Sequence, residues 1–249
     1  MKLIYNKRFY DSQSPGSKRS ASVVVPILMN LLHPKSVVDV GCGIGTWLSV
    51  FQEYGVENIL GIDGEYVNRE KLLIPDNCFL PMDLSNPHFL PDIRFDLALC
   101  LEVAEHIPES SAEKLIRFVT KLAPVVFFSA AIPGQGGAGH VNEQWQDYWV
   151  NLFEKEGYCV MDIIREKIWS NIHVEPWYCQ NSFIYVQSSK IEFYPPIIEA
   201  NKSTSLPLRL VHPELFQRFT SLEYVSSGRL IYEIVIRAKR KIARRFIKS

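Results

Sequence analysis

Ser36-Val37-Val38-Asp39-Val40-Gly41-Cys42-Gly43-Ile44-Gly45-Thr46-Trp47-Leu48 decides the reading of this chain. It opens as a β-branched run, the pattern of a strand buried on both faces. Three glycines follow at alternate positions. An apolar helical pattern then resumes at once with Trp47, Leu48 and Phe51. Strand, glycine turn and helix together let backbone and a helix N-terminus approach a nucleotide-like ligand. A side chain at a glycine would fill the ligand's space, or would clash where the turn needs positive φ.

The spacing distinguishes two ligands. The dinucleotide fingerprint is G-x-G-x-x-G, with pyrophosphate on the helix end. Here the third glycine comes one residue early, at Gly45 after Gly41 and Gly43, and Asp39 lies two residues before the first. A carboxylate there suits a ligand carrying an ammonium group, not a diphosphate. At these residues the chain resembles the class I S-adenosylmethionine-dependent methyltransferases, whose first motif is D/E-x-G-x-G-x-G. The resemblance implies S-adenosyl-L-methionine as cofactor, with Asp39, Gly41, Gly43 and Gly45 among its contacts.

Later strands extend the resemblance. Asn58 to Gly64 reads as a second strand ending in Asp63, 22 residues after Gly41. An acid at that distance is placed to accept from ribose hydroxyls, although an acid at a strand end can also cap a helix. Gly64 follows it. Cys78 to Leu84 reads as a third strand, and by resemblance Asp83 and Leu84 face the adenine. Arg94 to Leu101 is the fourth, running into Glu102-Val103-Ala104-Glu105-His106-Ile107, which resembles the family's fourth motif. Glu102 and Val103 are therefore expected beside the cofactor. Val125 to Ala131 is the fifth strand, followed by a loop with four glycines within six residues, Gly134, Gly136, Gly137 and Gly139. A helix is expected over 143–156, a sixth strand over 158–164 and a seventh over 182–186. The fold expected is a doubly wound α/β sandwich of seven strands, Rossmann-like, with the last strand antiparallel. A helical lid (1–35), a core (36–189) and a C-terminal linker with a basic amphipathic helix (190–249) make up the chain. Within the lid, Asp11 to Ser17 reads as a turn, Ser20 to Leu32 as a helix stopped by Pro34, and Tyr5, Phe9 and Tyr10 as aromatics over the cofactor or packed on the body.

Methyl transfer to a hydroxyl calls for an aligned acceptor and a base. His140 and His106 are the candidates, since histidine accepts a proton near neutral pH. His140 can equally be a loop histidine holding the backbone, and His106 can shape the loop under the cofactor. Glu105 is placed to orient either ring. Asn142, Trp145, Trp169, Trp177 and Tyr178 are candidate acceptor contacts, because aromatic faces stack on sugars and planar rings. Trp145, with Tyr148 and Trp149, can instead be one core stripe of a helix. The acceptor expected is a sugar or natural-product hydroxyl. A peptide or protein acceptor, or a non-catalytic cofactor-binding scaffold, is the alternative, and a nicotinamide oxidoreductase fits the third glycine poorly.

Composition is ordinary for a globular chain: 249 residues, 47% hydrophobic and 22% charged. Five scattered cysteines read as buried thiols in a reducing compartment, with no disulfide framework or metal site expected. The first ten residues lack the apolar core of a signal peptide, so the expected location is cytoplasmic. The net charge of zero hides an asymmetry. Seven cations and no acid lie between Arg237 and Lys248, on the face opposite Ile231, Ile234, Val235, Ala238, Ile242 and Phe246. A solvated helix and a helix lying on an anionic membrane through residues 230–248 both suit this pattern. Nucleic acid does not suit the acidic body. Oligomeric state is not legible.

Overall fold

The computed structural model describes residues 7–88, 93–202 and 208–220, with side chains from residue 15 onward. Tyr5 and the basic terminal helix lie outside the described residues, as do the side chains of Phe9 and Tyr10. Two compact units are present, Met1–Leu210 and Val211–Ser249. In the second, the described residues form one helix, Pro213–Thr220.

In the first unit the chain alternates strands and helices: α1 (Lys7–Leu32), β1 (Ser36–Val40), α2 (Thr46–Glu53), β2 (Asn58–Asp63), β3 (Phe79–Pro81), β4 (Leu97–Leu101), α3 (Glu109–Leu122), β5 (Val125–Ser129), α4 (Gln146–Lys155), β6 (Tyr158–Met161), α5 (Arg165–Ile168), α6 (Pro176–Asn181), β7 (Phe183–Gln187) and α7 (Pro195–Lys202). The seven strands form one sheet in the order 3-2-1-4-5-7-6, with β7 antiparallel to both neighbours and the other pairs parallel. This is the Rossmann-like methyltransferase arrangement expected from the sequence.

Every residue of β1, β4 and β5 is buried, which is why these strands read as unbroken apolar runs. Alternate residues feed two cores. Val37, Leu97, Leu99 and Phe127 pack with Ala21, Val24 and Leu28 of α1 and with α2. Val38, Val40, Ala98 and Phe128 pack with α3 and α4. From Ser20 onward α1 is thus one layer of the sandwich.

Several boundaries differ from the sequence reading. α1 begins at Lys7 and carries Pro15 and Pro26 inside it, so the stretch read as a turn is helical. It stops at Leu32 because His33 adopts φ 47° and donates its N–H to Met29 O at 2.9 Å before Pro34. β4 starts at Leu97, because Asp96 is turned to accept from the N–H groups of Lys35 and Ser36 at 2.8 and 3.0 Å. α4 starts at Gln146 and excludes Glu143, whose side chain is bound elsewhere.

The end of β6 and the start of α5 are joined by one buried ion pair. Arg165 is fully buried, and its Nε donates to Asp162 Oδ1 at 2.8 Å while Nη2 donates to Oδ2. Its Nη1 donates to Leu208 O at 3.0 Å, and the guanidinium lies 4.3 Å from the Phe183 ring centroid. Truncating one partner strands the other charge in the core. Asp162→Ala should therefore cost about 3–5 kcal/mol. Urea denaturation followed by circular dichroism measures it; a loss below about 1 kcal/mol would show that the pair is dispensable.

Candidate active site

The glycine turn is built from main-chain demands. Gly41, Gly43 and Gly45 all have positive φ, 87°, 55° and 83°. At Gly41 a Cβ would also lie 2.2 Å from Val103 Cγ2, so only glycine fits between β1 and the segment after β4. Gly45 closes the turn by donating to Cys42 O at 2.9 Å, and α2 starts from it.

Asp63, at the tip of β2, fastens this turn. Oδ2 accepts from Gly43 N at 2.7 Å, and Oδ1 accepts from Gly64 N and Tyr66 Oη, both at 2.6 Å. Burial pushes the Asp63 carboxyl up, and these three donors pull it back. Asp39, buried at the adjacent tip of β1, receives no such help: among the described residues nothing donates to its carboxylate. Burial, with the Asp63 charge beside it, pushes Asp39 up to about 7. At the end of β3, Asp83 is exposed and its Oδ1 accepts from Ser85 N and Oγ at 2.9 and 2.7 Å.

After β4 the chain turns sharply. Glu102 has φ 55° and donates its N–H to Ser129 O at 2.9 Å. Its carboxylate is gripped by amides: Asn181 Nδ2 donates to Oε1 at 3.2 Å and Gln135 Nε2 to Oε2 at 3.1 Å. Burial raises the Glu102 carboxyl, and Asn181, Ser129, Gln135 and His140 oppose that rise. A 3₁₀ turn, Ala104–His106, follows.

The glycine loop after β5 returns to this turn. Val141 N and Asn142 N both donate to Glu105 O, at 2.9 and 3.0 Å. Glu143 accepts from Gly134 N at 2.7 Å, Gly136 N at 2.6 Å and His140 Nδ1 at 2.9 Å. Burial works against ionising Glu143, but these donors hold its carboxyl below the usual carboxylate range. The His140 ring lies edge-on to His106, centroids 4.8 Å apart. A Cβ at Gly137 would sit 2.2 Å from His140 Nε2, so that glycine leaves room for the ring. His106 Nδ1 is 3.4 Å from Gly139 O. Burial, then the neighbouring His140, lowers His106 to about 4, so its ring is neutral at pH 7.

Asp39, Asp63, Asp83, Glu102, Glu105, His106 and His140 line one cleft of about 760 Å³ at the carboxyl edge of the sheet, where strand order reverses around β1 and β4. The pattern that defines the methyltransferase domain family matches residues 17–164. The chain belongs to the methyltransferase domain family. Its methyl donor is S-adenosyl-L-methionine. Among solved structures, an O-methyltransferase family protein from Burkholderia thailandensis is 11% identical over 73% of this chain and 60% of that one, with a TM-score of 0.52. A candidate O-methyltransferase from Nostoc punctiforme PCC 73102 is 15% identical over 72% and 58%, with a TM-score of 0.50. Magnesium protoporphyrin IX methyltransferase from Synechocystis PCC 6803, solved with bound SAH, is 20% identical over 70% and 84%, with a TM-score of 0.47. The first two share the fold. No curated protein matches.

Of the residues singled out in the sequence, the methyltransferase cleft is lined by Asp39, Gly41, Gly43, Asp63, Gly64, Asp83, Leu84, Glu102, Val103, Glu105, His106, His140, Trp177 and Tyr178. Four lie elsewhere. Gly45 is behind the turn, against Ile74. Asn142 is buried, and its Oδ1 accepts from Gln144 Nε2 at 3.0 Å. Trp145 packs under Arg209, whose Cζ is 5.7 Å from its ring centroid. Trp169 sits just after α5 and does not line the cleft. The sequence reading missed Tyr66, Gln135, Asn181 and Gln180, whose Nε2 donates to Gln135 Oε1 at 3.1 Å. Gln135 stood in the quoted glycine loop, and an amide amid glycines was its available signal. Gln180 and Asn181 carry no local pattern.

Asp39 gives this site a measurable stability signature. The folded state raises its pKa from 3.8 to about 7. The native state then binds more protons than the unfolded chain between those values, so stability falls as pH rises through that window. Above pH 7 the full cost is present, of order 4 kcal/mol. Asp39→Asn should therefore raise the melting temperature of the ligand-free protein at pH 8 and change it little at pH 4. Equal shifts at both pH values would show that the carboxylate is not destabilised by burial.

Proposed function

We propose that this methyltransferase is O-directed and acts on a hydroxyl of a small molecule, a sugar or natural product, with His140 taking the proton. The observation that carries this reading is the His140–Glu143 pair at 2.9 Å, with His140 lining the cleft. Glu143 accepts from Nδ1, which fixes the imidazole proton there and leaves the lone pair on Nε2. Glu143 is itself pinned by Gly134 and Gly136, so the ring is held in place before an acceptor arrives.

The residues at the strand tips fit the donor. Asp39 is a buried carboxylate without a donor among the described residues, which suits an ammonium group. Asp63 keeps about one of its four acceptor positions for a ribose hydroxyl. Asp83 and Leu84 line the cleft after β3 and are assigned to the adenine, with Glu102 and Val103, which line it after β4, assigned to the rest of the cofactor. When bound, S-adenosylmethionine supplies an electrophilic methyl group on a sulfonium. Trp177 and Tyr178 line the same cleft and offer faces for the acceptor.

Two measurements check this. With a hydroxylated acceptor, His140→Ala should lower kcat by about 10²–10⁴-fold while the Kd for S-adenosylhomocysteine stays within about twofold. Unimpaired turnover would remove His140, and a methylated amine or peptide as product would overturn the O-directed reading. S-adenosylhomocysteine carries the same ammonium group and should bind the ionised form of Asp39. Its affinity should then fall about tenfold for each pH unit below 7, with proton release on binding at pH 6. Isothermal titration calorimetry in two buffers reads both; a flat profile from pH 5 to 8 would show that Asp39 does not meet the ammonium.

A further inference from the structure

Glu105 is unexplained by the reading above. It is fully buried, and among the described residues neither carboxylate oxygen has a hydrogen-bond partner. The N–H groups of Glu105 and Ala131 lean on the charged form without forming hydrogen bonds to it. Glu102, three residues earlier, is the opposite case, with Asn181 and Gln135 on its two oxygens. Nor does Glu105 drift: its carbonyl is clamped by Val141 N and Asn142 N. An isolated buried carboxylate is costly unless it is neutralised or meets a cation.

We propose that Glu105, His106 and His140 bind one first-row divalent transition-metal ion, of the Zn²⁺, Mn²⁺ or Fe²⁺ class, in the wall of the cleft. One carboxylate oxygen and one nitrogen from each ring all lie within 4.8 Å of one another. Ligands about 2.1 Å from such an ion are roughly 3–3.5 Å apart, so the widest pair would close by roughly 1.3–1.8 Å on binding. The surroundings match those of histidine ligands, which hand their other nitrogen to a carboxylate or a carbonyl. His140 Nδ1 meets Glu143 at 2.9 Å, and His106 Nδ1 faces Gly139 O at 3.4 Å. Two imidazoles and one carboxylate select these ions over Mg²⁺ and Ca²⁺, which take mainly oxygen ligands. All three residues line the cleft, so an ion held by them would be at its wall.

Only the ion's role in the reaction rests on the methyl-transfer reading. There it would polarise the acceptor hydroxyl, whose proton would pass to water in the cleft; a His140 bound to the ion has no lone pair for that proton, so the ion's role and His140's role as base are alternatives that chelation separates. Binding itself is independent of that role.

The test uses the full chain freed of metal by a chelator. Calorimetric titration with MnCl₂, and separately with ZnCl₂, should give one site per chain. Mn²⁺ guards against Zn²⁺ capture by the five free cysteines. Glu105→Gln, close in shape to the native residue, should weaken Mn²⁺ binding at least tenfold, and Glu143→Gln about 10–100-fold through His140. Retained S-adenosylhomocysteine binding shows that each variant is folded. No Mn²⁺ or Zn²⁺ site in the native chain, or unchanged affinity in Glu105→Gln, overturns the proposal. Turnover that survives chelation, with S-adenosylhomocysteine binding intact, overturns the metal's catalytic role and leaves His140 as the base. Loss of S-adenosylhomocysteine binding in the native chain would instead defeat the donor reading.

Discussion

A carboxylate withdrawn from water at a strand tip is costly, and this protein places four of them around one cleft. Asp39, Asp63, Glu102 and Glu105 stand at or just beyond the carboxyl ends of β1, β2 and β4. The parallel register brings those ends together: Val40 pairs with Ile62, and Asp39 with both Gly61 and Leu99. Helices covering both faces of the sheet keep water from its middle, so each acid needs a protein donor or a ligand.

The four acids divide by the partners they receive. Asp63 and Glu102 are supplied by the chain itself, and they do structural work. The first draws the glycine turn onto β2, and the second ties α6 and the loop after β5 to the end of β4. Asp39 and Glu105 are left without partners among the described residues. Those two are where the protein gives up stability in its free state, and free acceptors facing a cleft are what binding requires. The same division explains the glycine loop, whose bends are held by Glu143 and whose open positions leave room for His140.

The fold was largely legible. β1, β4 and β5 are buried on both faces, so their unbroken apolar runs survived every local ambiguity. The motif around Gly41 carried the turn because each glycine answers a main-chain demand that no other residue meets. Boundaries were less legible. The first turns of α1 carry polar and turn-forming residues yet are helical, and Glu143 left its expected helix because the loop's N–H groups claimed its side chain. The aromatic residues were the least legible. Trp177 and Trp169 look alike in sequence, and only the placement of α6, whose Tyr178 ring lies 5.2 Å from Trp47 of α2, goes with the first lining the cleft and the second not.

By itself the sequence determined the strand–turn–helix unit, the three acids at successive strand tips, and the family they imply. These are properties of contiguous residues, because glycine φ angles and strand burial are local requirements. Only tertiary structure decided which polar groups are satisfied. Asp39 and Asp63 look equivalent in the chain, but just one of them meets Gly43, Gly64 and Tyr66. His106 and His140 come together because the loop after β5 folds back onto the Glu105 carbonyl, a contact between distant segments that no local pattern announces.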